Sequence, residues 1–438
     1  MISESNPPLR PVSPRALAAA AELLGLWLED ASQPPLDRLV ARALRERRYL
    51  NSRERRTVGD AVFGAARMLR RQRWVLQRLQ LGETPLAHIQ LWLACEGFDF
   101  AGSAGEYWLP GLPAALATLP GIEAPADALR VTHSMPDGLA GELEALLGPE
   151  ALAAAAAFNL AAPVMARVNT LKTNRSSWLE RHPVMRASAI SPWGVWREKR
   201  PSNDAATDAA GEIAWQDEGS QLVALATACR PGNFVVEIGA GAGGKALAMA
   251  AMMQNSGRIL AVDIAPKRLE ILRERAQAAG VTCIRTCCTS VAEAELNGEL
   301  TRFAGCADIV LVDAPCTGTG AIRRSPDARW RTVNTPYEPV QRAMLGAAAL
   351  LVRPGGAVVY ATCAVERSQN EAIVIDGARS SGLEIEDVAE SIRHTRLLDA
   401  PAAAAIGGQI RTGDLGFART WPHRGGMDAF FIARLRKP

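Results

Sequence analysis

Two cysteines stand where this chain offers reactive chemistry. In residues 307–320, ADIVLVDAPCTGTG, the β-branched-rich run Ile309, Val310, Leu311, Val312 stops at Asp313 and gives way to Pro315, Cys316 and a glycine-rich turn. Residues 357–363, AVVYATC, repeat the form, a strand-like run ending at Cys363. Short continuous apolar runs of this kind mark parallel strands covered on both faces, and ligands of open α/β sheets sit just beyond the carboxyl ends of such strands. The pattern therefore predicts a thiol site at the mouth of a crevice, with Asp313 beside it. A buried cysteine can also be no more than a small hydrophobe, and an Asp no more than a cap. Two cysteines at two neighbouring strand ends weigh against that.

A second constellation precedes them. The stretch EIGAGAGGK, residues 237–245, is a glycine-rich turn between a strand and a helix. Gly239, Gly241 and Gly243 let backbone approach a ligand, and the following helix start offers unpaired N–H donors. Glu237, Ala240, Ala242, Gly244 and Lys245 complete this candidate cofactor loop, and Asp263 falls at the end of the next strand, where a carboxylate can bind ribose hydroxyls. Gly239, Gly241 and Gly244 also satisfy G-x-G-x-x-G, so a nicotinamide and an S-adenosylmethionine site both fit. The thiols favour the second. Carbon 5 of a pyrimidine is a poor nucleophile until a thiolate adds at carbon 6, and the product then needs a base to take the carbon 5 proton and release the thiol. Cys316, Cys363 and Asp313 suit those steps, whereas hydride transfer gives them no role.

Composition narrows the setting. At 438 residues and 48% hydrophobic, the chain is long enough for several globular domains. Its eight cysteines form no C-x-x-C pair, the five histidines are scattered, and no leader is read at the start, so the expectation is a cytoplasmic protein without a metal site or membrane span. Between residues 38 and 78 there are 13 arginines against three acids, Glu46, Glu54 and Asp60. Arginine forks bind phosphate oxygens bidentately, so this window predicts a nucleic-acid surface rather than a merely solvated helix face.

The elements that must position these groups follow two rhythms. Residues 1–14 are proline-rich and read as a disordered tail. Residues 15–135 carry helical periodicity and the arginine window, an all-helical domain similar in pattern to the NusB-like RNA-binding domain. Residues 136–210 read as a linker helix and a small α+β module, with a polar segment near 200–212. Residues 211–438 alternate strand and helix, which predicts an α/β domain with a doubly wound parallel sheet. Residues 388–419 fit no pattern, and the final MDAFFIARL reads as a last strand.

The motifs QDEGSQ, GAGGK, VDI, DAPCTGTGAIRRSPDARW and YATCAVERSQNE together resemble the RNA 5-methylcytosine methyltransferases of the Sun type, nearest to the bacterial small-subunit ribosomal RNA enzymes. The resemblance implies S-adenosyl-L-methionine as cofactor, structured RNA such as 16S ribosomal RNA as partner, and a monomer. It implies Cys363 as the nucleophile at carbon 6, Cys316 as the base that assists release, Asp313 on the cytosine edge and Lys245 lining the active site. Three departures stand out: Ala240-Gly241-Ala242 where the family has Ala-Ala-Pro, the region of Thr289 where an acidic residue contacts adenine, and Asp428-Ala429 in place of Asp-Gly. They leave open an RNA-binding or assembly factor that has lost turnover, and a nicotinamide oxidoreductase as a third reading.

Overall fold

The computed structural model describes residues 10–29, 35–99, 128–198, 210–291, 296, 298–331, 336–395, 397–398, 404, 406, 410–412 and 415–438. The chain forms two compact units, one of residues 1–160 with 321–333, the other of residues 161–320 with 334–438.

The first unit is helical. Of the expected 1–14 tail, residues 1–9 lie outside the described residues, whereas β1 (Arg10–Pro11) pairs in parallel with β2 (Phe98–Asp99) and α1 (Pro14–Glu29) begins at once. Helices α2 (Leu36–Glu46), α3 (Ser52–Arg67), α4 (Leu69–Arg78) and α5 (Pro85–Cys95) follow. Leu17, Leu24, Leu39, Val62 and Ile89 meet in one core. Helix α3 starts at Ser52 because Asn51 and Glu54 form a reciprocal capping box. Gly64 lets α5 close in: a Cβ there would lie 2.0 Å from Trp92. The sequence reads 52–79 as one helical run, but it breaks at Met68, and the freed Arg70 N–H donates to Ser134 Oγ at 2.9 Å. Helices α6 (Asp137–Leu147) and α7 (Ala151–Asn159) likewise divide at Gly148, which has φ +51°.

The segment after the Cys316 turn completes this unit. Arg329 is buried, and its Nη1 donates to Asn159 Oδ1 at 3.0 Å and to Arg67 O at 3.2 Å. Trp330 Nε1 donates to Ala66 O at 2.6 Å. The RRSPDARW part of the motif is thus an internal strut of the helical unit.

The second unit carries two sheets. Strands β3 (Val164–Val168), β4 (Arg186–Ala187), β5 (Gly194–Arg197) and β6 (Ile213–Trp215) form an antiparallel sheet in the order β4-β5-β3-β6, with α8 (Arg175–Arg181) placing Trp178 in its core. Most of the polar segment near 200–212 lies outside the described residues. After α9 (Glu218–Ala226) the large sheet begins. It is built from β7 (Phe234–Ile238), α10 (Gly244–Met252), β8 (Arg258–Asp263), α11 (Pro266–Ala279), β9 (Ile284–Cys288), β10 (Ala307–Asp313), α12 (Glu338–Leu351), β11 (Val352–Thr362) and α13 (Glu371–Ser381). Then come β12 (Glu384–Glu386), α14 (Val388–Arg393), β13 (Arg411–Thr412), β14 (Phe417–Arg419) and β15 (Phe431–Arg436). The patternless stretch 388–419 therefore holds a short helix and two short strands, too brief to show a period. Strands β9, β8, β7, β10 and β11 run parallel in that order, and β15 joins β11 antiparallel.

Alternation along each central strand buries both faces. Val235, Ile259, Ile309, Leu311 and Val359 pack into one cluster, while Val236, Leu260, Val310, Val312 and Val358 pack into another on the opposite face. The order of strands reverses at β7, so the crevice opens where the carboxyl ends of β7 and β10 lie side by side, with Ile238 in register with Val312.

Candidate active site

Strand register brings the two cysteines together. Asp313 pairs with Ala361 across β10 and β11, Ala314 N–H donates to Ala361 O at 3.0 Å, and Gly320 N–H donates to Cys363 O at 2.8 Å. These bonds fold the Cys316 turn back over the end of β11, and the two Sγ atoms sit 3.5 Å apart. Gly320 is needed there, because a Cβ would meet Ala429 O at 2.1 Å. The proton of the pair is shared unequally. The hydrogen bond from Cys316 holds the Cys363 thiol below its ordinary pKa, helped by nearby Lys245 and opposed by burial and Asp313. The same contact, with burial, pushes Cys316 well above it. One sulfur is thus poised as thiolate and the other as thiol.

Lys245 and Asp313 form a second pair, 2.7 Å apart. Burial opposes the ammonium, but Asp313 outweighs it and the Lys245 pKa is raised. Lys245 also lies over the Phe430 ring, 5.7 Å from its centre. Glu237 is fully buried at the end of β7, and burial first, then the neighbouring Asp313, push its pKa up to about 8 against the pull of Lys245.

Around these groups opens a cavity of about 580 Å³, lined by Gly239, Gly241, Lys245, Asp263, Asp313, Cys316, Cys363, Ile264, Thr289, Tyr337, Met344 and Phe430 among others. The loop residues divide. Gly239 and Gly241 face the cavity; Glu237, Ala240, Ala242, Gly243 and Gly244 shape the strand end and turn behind it. Gly239, Gly241 and Gly243 have φ of +85°, +53° and +84°, and a Cβ on Gly241 would point into open space. Asp263 is 7% exposed, and its two oxygens accept from Gly241 N and Ala265 N, each at 2.8 Å, which ties the loop to the end of β8. Each oxygen keeps a lone pair. Thr289 lines the cavity and donates its N–H to Asp263 O at 3.2 Å.

The cavity size is that of a cofactor pocket. A carboxylate, an open glycine cradle and the exposed apolar Ile264, 71% accessible at its rim, fit the ribose and adenine of S-adenosyl-L-methionine.

Several supporting residues carry no sequence signal. Thr317 and Thr319 donate to Glu366 Oε2 at 2.9 and 2.7 Å, Thr319 Oγ1 accepts from Val365 N, and Gln369 Oε1 accepts from Thr317 N. This network clamps the turn bearing Cys316 to the turn bearing Cys363. Glu366 stands three positions after Cys363, and nothing in that spacing announces a clamp. Phe430 follows Asp428-Ala429; Ala429 N–H donates to Gly320 O at 3.0 Å, and its φ is not positive, so the missing glycine is not required. Among the described residues no cluster of His, Cys, Asp or Glu could hold a metal, and no helix is long and apolar enough to cross a membrane.

A parallel sheet whose order reverses at β7, with a glycine turn at the switch and a carboxylate ending β8, is the Rossmann-like fold of class I methyltransferases. Residues 224–436 match the family described as 16S rRNA methyltransferase RsmB/F. A Mycobacterium tuberculosis protein named as a methyltransferase is 34% identical over 256 residues, 56% of this chain and 51% of the relative, so the chain spans about half that relative's length. A Bacillus subtilis protein named Probable ribosomal RNA small subunit methyltransferase B is 29% identical over 335 residues, 72% of this chain and 69% of the relative. The solved structure of PH0851 shares the fold over 97% of this chain and 99% of its own, with TM-score 0.75 and 21% identity.

Proposed function

We propose that the protein methylates carbon 5 of a cytosine in structured RNA, 16S ribosomal RNA first among the candidates, using S-adenosyl-L-methionine and a covalent cysteine–cytosine intermediate. The observation that carries this reading is the pair of sulfurs 3.5 Å apart on the wall of the cofactor-sized cavity, one thiol holding the other toward thiolate. The cofactor, when bound by the glycine loop and Asp263, supplies an electrophilic methyl group. Cys363 thiolate adds to carbon 6, which turns carbon 5 into an enamine carbon. Asp313, held by Lys245 at 2.7 Å, accepts from the cytosine edge and fixes the ring over the sulfur. After methylation Cys316, which releases its own proton to solvent once Cys363 is bound to carbon and no longer holds it, takes the carbon 5 proton; the carbon 5–carbon 6 double bond re-forms as the carbon 6–sulfur bond breaks, and Cys363 leaves as thiolate.

The family match supports a ribosomal RNA substrate, and the exposed arginines between residues 38 and 78 support RNA affinity through phosphate contacts. We assign 136–210 as linker and RNA-binding module and 211–438 as the methyltransferase domain, acting as a cytoplasmic monomer. The test is incubation with methyl-labelled S-adenosylmethionine and ribosomal RNA from a strain lacking its cytosine methyltransferases. The label is expected in 5-methylcytidine after nuclease digestion. Label in any other nucleoside, or none with both ligands bound, would remove this assignment.

A further inference from the structure

A second cavity in the same unit, about 360 Å³, lies behind the cofactor loop, between β3, β6 and the start of α10. Its most unusual wall is Arg167 on β3, which is 2% exposed. Arg167 Nε donates to Gln216 Oε1 at 3.0 Å, and among the described residues no carboxylate forms an ion pair with the guanidinium. Burial lowers its pKa to about 10. An unpaired buried cation destabilises a fold, so the position asks for a partner that is not part of the protein. The remaining walls suit one. Trp215, Ile213 and Leu247 give the cavity an apolar wall, and Gly244 begins a nine-residue helix whose positive end adds to the guanidinium field. Exposed Glu274 and Arg275 stand at the same cavity.

We infer that this cavity binds one phosphate-bearing nucleotide of the substrate RNA, its phosphate on Arg167 and its base against the apolar wall and Trp215. The inference rests on the RNA reading above and adds to it a subsite separate from the cysteine crevice. A free nucleotide offers the same chemistry, and the experiment distinguishes the two sources.

Wild type, Arg167→Met and Arg167→Lys are compared in four measurements: melting temperature, affinity for a short unstructured RNA at several salt concentrations, affinity for cytidine monophosphate, and affinity for S-adenosylmethionine. Arg167→Met should melt no lower than wild type, bind the RNA about tenfold more weakly and lose roughly 0.7 from the salt slope, the value of one single-strand phosphate contact. Arg167→Lys should recover part of the affinity, and S-adenosylmethionine binding should be unchanged in both. A lower melting temperature with unaltered RNA affinity and slope would make Arg167 a structural residue and overturn the inference. Loss of cytidine monophosphate binding alone, with RNA binding intact, would assign the cavity to a free nucleotide and equally overturn it. If wild type bound no RNA at all, the functional reading itself would fall, a result separable from the others.

Discussion

The cysteine crevice and the arginine-rich helical unit use polar side chains in opposite ways. In the crevice every reactive group leans on another side chain from a different strand end: Cys316 on Cys363, Lys245 on Asp313, Thr317 and Thr319 on Glu366. The helical unit instead splits one residue type into two populations. Arg55 donates to the carbonyls of Leu44, Arg47 and Leu50, Arg67 donates to Arg323 O, Arg47 pairs with Glu22, Arg70 with Asp137, and Arg73 with Glu83. Arg38, Arg42, Arg45, Arg48, Arg53, Arg56, Arg71 and Arg78 are exposed and, among the described residues, hold no carboxylate in an ion pair. Coupled groups make a site in which one substitution disables the rest; parallel independent groups make a surface that degrades by increments.

The sharpest break of that contrast is at the sulfurs. Cys363→Ala should abolish turnover and form no adduct, while Cys316→Ala should accumulate a covalent protein–RNA complex that survives denaturing electrophoresis. Coupling adds a second readout. Because the hydrogen bond from Cys316 is the largest influence lowering the Cys363 pKa, Cys316→Ala should move the alkylation of Cys363 by iodoacetamide to higher pH. An unmoved profile would mean that the two thiols act independently.

Glu237 tests coupling through the fold. Its folded pKa of about 8 lies above the ordinary 4.5, so the folded state holds a proton that the unfolded chain releases. Its contribution to stability is fully present below pH 4.5 and is lost as pH rises through 8. Glu237→Gln removes this dependence and should be more stable than wild type by up to about 3 kcal/mol near pH 7, at roughly 1.4 kcal/mol per pH unit. Melting curves from pH 5 to 8 for both proteins give the difference directly; parallel curves would show that Glu237 stays ionised.

Much of the crevice could be read from letters because its geometry follows from regular elements. Parallel pairing of β10 with β7 and β11 places Asp313, Cys316 and Cys363 at the carboxyl ends of neighbouring central strands, and the glycine turn follows β7 by necessity. Partners contributed by turns were not legible: Glu366, Gln369 and Phe430 reach the site through loop conformations that no periodicity encodes. The arginine window was legible only as charge. Its sequence cannot separate Arg53 from Arg55, two residues apart on α3, because burial of one and exposure of the other depend on the α2–α3 turn. The unpaired state of Arg167 was equally hidden, since a lone arginine in a strand carries no pattern.

The smallest effects belong to the arginine surface, and they sharpen the contrast within it. Arg55 closes three carbonyls around the α2–α3 turn, so Arg55→Ala should lower stability by about 1–3 kcal/mol, the cost of leaving buried acceptors unmet. Arg53→Ala, on the exposed side, should leave stability within about 0.5 kcal/mol, as surface substitutions usually do. RNA binding should show the reverse order. Each exposed arginine that contacts phosphate contributes one released counterion, so Arg38→Ala, Arg42→Ala, Arg45→Ala and Arg53→Ala should each weaken binding modestly and flatten the salt slope by roughly 0.7–0.9. Combining the four should add these losses, because independent surface contacts are close to additive. A quadruple variant with the wild-type slope would take this face out of the RNA interface, whereas a loss well beyond the sum would show that the exposed arginines are coupled after all, as the crevice residues are.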